Sequence, residues 1–124
     1  MIIRRLADLP REVVLDGSRL VEYVHPERGP EPPAIGYSLA HAVVRAGEAT
    51  FPHRLKSSSE VYVILKGRGL LHVGGSREEA CPGMAVYVPP GETQWIENTG
   101  DPDLEFLVIV EPYWRKEDEE AVAR

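Results

Sequence analysis

The sequence predicts an all-β domain, on three observations. Eleven glycines and eleven prolines break the 124 residues every few positions, which leaves little room for helix and suits short strands joined by turns. The segments between the breaks are rich in Val, Ile, Leu and Tyr, residues that pack well on a pleated surface. Two pairs between such segments, Asp16-Gly17 and Gly74-Gly75, tolerate the positive φ of tight hairpin turns.

In order, strands are expected at 12–15, 19–24, 38–45, 61–66, 69–73, 77–80, 85–88, 94–98 and 104–111. The first two flank Asp16-Gly17 and form one hairpin, as do 69–73 and 77–80 about Gly74-Gly75. The segment 38–45 is an apolar run that stops just before Gly47. Ser57-Ser58-Ser59-Glu60 matches a helix capping box, but the Val61-Tyr62-Val63-Ile64 that follows argues for a strand. Pro89-Pro90-Gly91 makes a sharp turn between 85–88 and 94–98, and 104–111 contains the unbroken apolar run Phe106 to Val110. The segment 25–36, HPERGPEPPAIG, is too restricted for regular structure and is expected as a surface loop, a lid or a subunit contact. The tail 115–124, RKEDEEAVAR, reads as a short solvated helix or a frayed end. The resulting division is 1–36, N-terminal strands and Pro-rich loop packing on the barrel; 37–112, the barrel core; and 113–124, a charged C-terminal tail.

Composition narrows the functional classes. A chain of 124 residues fits one domain with one core. Its formal charge is −6, and no Lys/Arg stripe runs along it, so neither nucleic acid nor an anionic membrane surface is an expected partner. Apolar runs such as 61–65 are far too short to cross a bilayer. Cys81 is the lone cysteine, which excludes an internal disulfide, a four-thiolate zinc site and a CxxC pair. Any metal would therefore rely on His and oxygen ligands. Met1-Ile2-Ile3-Arg4-Arg5 lacks the apolar core of a secretion signal, and a cytoplasmic location is expected.

Two stretches carry the chemistry. In the first, Gly47 is followed by five residues, His53, Leu55 two further on, Glu60 five beyond that, and Gly67 after six more. In the second, Gly83 precedes Pro89 by six positions, and Gly91, Gln94 and Asn98 follow at steps of two, three and four. The first resembles the cupin motif G-x5-H-x-H-x(3,4)-E-x6-G and the second its partner G-x5-P-x-G-x2-H-x3-N, separated here by the 15-residue connector 68–82. Leu55 stands in the second-histidine place and Gln94 in the histidine place of the partner motif. The resemblance implies a double-stranded β-helix, the jelly-roll barrel of a small single-domain cupin. In most cupins the four positions bind a divalent metal such as Mn, Fe, Ni or Zn.

Strand periodicity agrees with that resemblance. Residues two apart share a face, so His53 and Leu55 point one way, and Glu60, Tyr62 and Ile64 form a second file. A carboxylate inside a small barrel must be neutralised by a cation, by protonation or by hydrogen bonds. A divalent metal held by His53, Glu60 and Gln94 meets that need, with water, His41 or Tyr62 completing the shell; His72 is less well placed. The amide oxygen of Gln94 suits hard cations such as Mg, Ca or Mn better than zinc or copper. The alternative is a polar cluster in which Gln94 and His53 hydrogen-bond Glu60 without metal. His25 is expected to be solvated, and Tyr62, Tyr87 and Trp95 either line a ligand pocket or fill the barrel, with Trp95 facing out if Gln94 faces in.

The expected function is a cupin that binds a divalent metal and a small anionic or polar metabolite, as an isomerase or lyase with Glu60 and Tyr62 in catalytic roles. A non-enzymatic ligand-binding or sensing module with an eroded site is one alternative, and a metal-dependent dioxygenase, which needs His41 as a further ligand, is another. A homodimer is expected, with Tyr113-Trp114, Trp95 and the strands before Ser38 as partner surfaces.

Overall fold

Alternation of inward apolar and outward polar side chains organises the computed structural model, which describes residues 1–123. Its strands are β1 (Glu12–Val13), β2 (Arg19–Val24), β3 (Ser38–Val44), β4 (His53–Leu55), β5 (Ser59–Lys66), β6 (Gly69–Val73), β7 (Ser76–Ala80), β8 (Ala85–Val88), β9 (Gln94–Asn98), β10 (Leu104–Glu111) and β11 (Glu119–Ala121). One sheet has the order β1-β2-β3-β10-β5-β8 and the other β11-β4-β9-β6-β7, with every named pairing antiparallel. From β3 onward the chain crosses from sheet to sheet at almost every connection, only the β6–β7 hairpin staying within one, which gives the jelly-roll form of the double-stranded β-helix.

Strand β10 shows why these residues form these elements. Leu104, Phe106, Val108 and Val110 alternate inward and are buried, while the residues between them face the other side. Across it, Phe106 pairs with Ile64 of β5 and Ala42 of β3, and Val110 pairs with Glu60 and Ser38. At the Leu104 end Val44, Ile64, Leu71 and Ile96 close the interior completely. At the Val110 end the inner file of β3 is Ser38, Ala40 and Ala42. Side chains that small leave room, and a cavity opens there (below).

The sequence expectations for β2, β6, β8, β9 and β10 coincide with the observed bounds. β1 is shorter than expected, β5 begins two residues earlier, and β4 was not among the expected strands although its two inward residues were correctly assigned to one face. At Gly83 and Gly91 a β-carbon would meet open space, and what excludes other residues is the backbone, at φ 94° and 84°. Gly67 and Gly69 are crowded by backbone: a β-carbon would come within 2.7 Å of the Asp103 carbonyl oxygen at the first and 2.5 Å of the Glu97 carbonyl oxygen at the second.

The tail is a correction. Instead of a solvated helix or frayed end it forms a short 3-10 turn at Lys116–Asp118 and then β11, which pairs with β4. The composition misleads because one of its acids is structural. The buried Asp118 carboxylate accepts hydrogen bonds from the Ser57 amide (2.9 Å), the Ser57 hydroxyl (2.6 Å) and the Ser58 amide (3.1 Å), with Arg115 at 3.4 Å. Burial pushes its pKa up, but those bonds and the Arg115 charge outweigh it and hold the carboxyl below its usual value. A lowered carboxyl pKa stabilises the fold above the ordinary carboxylate range, and that contribution is lost as pH falls. Trp95 stacks on His72 with centroids 3.7 Å apart, and Tyr113 meets the His25 ring edge-on at 5.0 Å. His25, expected to be solvated, is buried and bonds the Trp114 carbonyl (2.8 Å) and the Glu27 amide (3.1 Å).

Replacing Asp118 by Ala removes an anion that satisfies three donors, so chemical unfolding at neutral pH should show a loss of about 2–3 kcal/mol. A loss below about 0.5 kcal/mol, the level of an ordinary surface change, would contradict the role given to the tail.

Candidate functional site

Three strands bring the site together. His53 on β4 is the register partner of Gln94 on β9, and both face inward. Opposite them, on the other sheet, β5 presents Glu60, Tyr62 and Ile64 on its inner face. The Tyr62 hydroxyl crosses between the sheets and donates to the Gln94 amide oxygen at 2.5 Å. His53, Glu60 and Tyr62 line a cavity of about 710 Å³, whereas Gln94, only 1% exposed, sits behind Tyr62.

The hydrogen-bonding inventory fixes the roles of these groups. A backbone carbonyl can only accept, so His53 Nδ1–H donates to Phe51 O (2.9 Å), which leaves Nε2 as the basic nitrogen of the neutral ring. Tyr62 is held by burial, and then by the Glu60 charge, well above its usual pKa; it remains a neutral donor. With the Gln94 oxygen occupied by that hydroxyl, its amide nitrogen faces Glu60 as a donor that favours the charged carboxylate.

Glu60 is 8% exposed and its pKa is pushed up to about 7, first by burial. The carboxylates of Asp16 and Glu119 push the same way, and His53 and Gln94 only partly offset them. At His53 burial works against the imidazolium, but the charges of Asp16 and Glu60 and the Phe51 carbonyl outweigh it and raise the pKa. Glu60 therefore exchanges its proton near neutrality, and its titration is coupled to that of His53. Asp16 and Glu119 belong to the cavity wall, yet neither stood out in the sequence. Asp16 lies in the β1–β2 turn and its carboxylate accepts from the Ser18 amide (2.9 Å) and hydroxyl (2.6 Å). Glu119 begins β11 and accepts from Trp114 Nε1–H at 3.1 Å.

Several expected participants lie elsewhere. His41 does not join the site. It alternates to the opposite face of β3, where Nδ1 accepts from Arg11 (3.0 Å) and Nε2–H donates to Glu105 (3.1 Å). Burial and then the Arg11 charge lower its pKa. Tyr87 is exposed and Trp95 lies on the outside of its sheet, so of the three aromatic candidates only Tyr62 lines the cavity. His72 bonds Glu97 (2.8 Å) on that same outer face.

The donors present do not fit a firmly held divalent metal. Leu55, buried at 3% exposure, fills the second-histidine place and cannot ligate. The Gln94 oxygen, the atom that would coordinate, is taken by Tyr62. Of the four motif positions that leaves one imidazole and one carboxylate, and among the described residues no three His, Cys, Asp or Glu side chains are grouped to hold an ion. The chemistry these groups can supply is that of a proton-exchanging pair beside the cavity.

A raised carboxyl pKa stabilises the fold fully below its ordinary value, 4.5, and that contribution disappears as pH rises through about 7. His53, also raised, acts in the same direction; His41, lowered, acts oppositely, so the comparison of wild type with Glu60→Gln isolates the site. The variant should gain stability relative to wild type as pH rises from 4.5 through 7, by about 3 kcal/mol at the upper end. A pH-independent difference in denaturant unfolding would contradict the burial of an under-compensated carboxylate.

Comparison with known proteins agrees with this geometry. The cupin domain family matches residues 40–110. An uncharacterized protein of Methanocaldococcus jannaschii is 36% identical over 110 residues, which cover 87% of this chain and 84% of that protein. An oxalate-binding protein of Thermotoga maritima is 36% identical over 64 residues, 52% of this chain and 53% of the relative. Among solved structures, the polyketide cyclase RemF from Streptomyces resistomycificus superposes with a TM-score of 0.81 at 22% identity, covering 100% of this chain and 87% of its own, a likeness of fold. With the family match spanning more than half of the sequence, and both motif stretches placed on paired inner strands of a jelly roll, the chain belongs to the cupin family.

Proposed function

We propose that this protein is a small-molecule enzyme of the isomerase or lyase kind, in which Glu60 moves a proton to or from a ligand held in the cavity and no resident metal is needed. The observation that carries the proposal is a buried carboxyl that exchanges its proton near neutral pH, facing a cavity beside an imidazole whose basic nitrogen is Nε2. A general acid or base works best when its pKa lies near the working pH. Glu60 is the group that touches the ligand, and His53 is the partner that takes up or returns the second proton. Tyr62 and Gln94 are positioning residues: the hydroxyl fixes the amide, and the amide turns its N–H toward Glu60. That chain orients the carboxyl without lowering its pKa to the usual range.

Proton transfer at carbon can be read before the natural substrate is known. In heavy water, a panel of small ketones and hydroxyketones that bind the cavity should exchange carbon-bound hydrogen for deuterium, followed by proton NMR. The exchange should survive dialysis against a mild chelator and fall by roughly 10²–10⁴-fold in Glu60→Gln. Stoichiometric metal retained through that dialysis and lost in His53→Ala would overturn the metal-independent reading in favour of a centre held by His53, Glu60 and Gln94. Exchange undiminished in Glu60→Gln would overturn the role of Glu60. Binding with no exchange across the panel would overturn catalysis itself and leave a binding module.

A further inference from the structure

The shape and charge of the cavity say what kind of molecule fits it, an inference that rests on the same site as the proton-transfer reading but not on its chemistry. We propose that the cavity takes an uncharged molecule of drug-like size, with one extended apolar face and a hydroxyl or carbonyl edge, and that it excludes small dicarboxylates. This departs from the small anionic or polar metabolite expected from the sequence.

Size is the first argument. A volume of about 710 Å³ lies in the upper part of the range for pockets that enclose drug-sized ligands, and a two-carbon acid would leave most of it unfilled. The second is the division of its wall. Ala40, Ala42, Phe106, Val108 and Val110 form one continuous apolar surface, because they are the inward files of the adjacent strands β3 and β10. Leu20 extends it. The polar groups His53, Glu60 and Tyr62 come instead from β4 and β5, so a ligand lying against the apolar wall presents one edge to them.

Charge is the third argument. Asp16, Glu60 and Glu119 surround the polar edge, joined on the wall by Glu12 and Glu22. The two lining cations are placed differently. Arg28 is half exposed, paired with Glu22 at 3.0 Å and laid over the Trp114 ring at 5.3 Å, and Lys116 is exposed on the C-terminal turn. Once Glu60 is ionised, a carboxylate brought to His53 would therefore meet the like charge of Asp16, Glu60 and Glu119 with a single imidazole in compensation, an arrangement that costs several kcal/mol in a desolvated site. A hydroxyl or carbonyl meets no such barrier and can bond the same groups.

A matched pair of probes tests this by titration calorimetry at a pH where the carboxylates are ionised. α-Naphthol and α-naphthoate share a ring system and differ in charge, and oxalate supplies the small dianion. α-Naphthol should bind at least roughly tenfold more tightly than α-naphthoate, with no measurable heat from oxalate. The double variant Asp16→Asn, Glu119→Gln should narrow that gap. Ala40→Leu, which fills the apolar wall, should abolish naphthol binding while circular dichroism shows the sheets intact; if that variant does not fold, Ala42→Val obstructs the same wall with one methylene fewer. Oxalate or α-naphthoate binding as tightly as α-naphthol would overturn the proposal, as would naphthol binding that ignores the filled wall. Ligand discrimination is read in the wild-type protein and proton exchange by the isotope experiment, so failure of one reading leaves the other standing.

Discussion

The structure turns on a carboxyl group that its surroundings do not fully compensate. Burial of Glu60 would ordinarily demand a cation or several donors. It meets one imidazole and one amide N–H, while Asp16 and Glu119 add negative charge across the cavity. The outcome is a proton retained into the neutral range, and each neighbouring detail serves it. Phe51 sets the tautomer of His53, Tyr62 sets the orientation of Gln94, and Leu55 keeps the place of a further ligand apolar. An ionised carboxyl in such surroundings costs stability.

The fold supplies the setting by an economy of side-chain volume. The two sheets close tightly where Val44, Ile64, Ile96 and Leu104 meet, and separate where β3 offers only Ser38, Ala40 and Ala42 to its interior. The strands that carry the polar residues are central: β5 lies between β10 and β8, and β9 between β4 and β6. Side chains on such strands are held by ladders on both edges, which gives more precise placement than loops provide. The chain flanking the barrel completes the enclosure, the β1–β2 turn bringing Asp16 and the C-terminal strand bringing Glu119.

Much of this was legible in the sequence, for a physical reason. Period-two alternation is local, so it assigns His53 with Leu55 and Glu60 with Tyr62 and Ile64 to inward files before any coordinates are known. The glycine and proline spacing that matches the two cupin stretches then sets the strands bearing those files in one barrel. Alternation fails where a strand is buried on both faces. In β3, Ala40, His41 and Ala42 are all buried, so the apolar run gives no phase, and His41 turns outward to Arg11 and Glu105. Composition fails in the tail, where a run of acids looks solvated although Asp118 is tied to Ser57 and Ser58, some sixty residues earlier. Asp16 and Glu119 were invisible for the same reason: what makes them matter is their distance from Glu60 in space.

The sharpest test of the account is the titration of Glu60 itself, followed by the carboxyl carbon resonance of glutamate-labelled protein and assigned through its disappearance in Glu60→Gln. The expected apparent pKa is about 7, displaced when His53 is replaced by Ala. A carboxyl that titrates near 4.5, the ordinary glutamate value, would contradict it.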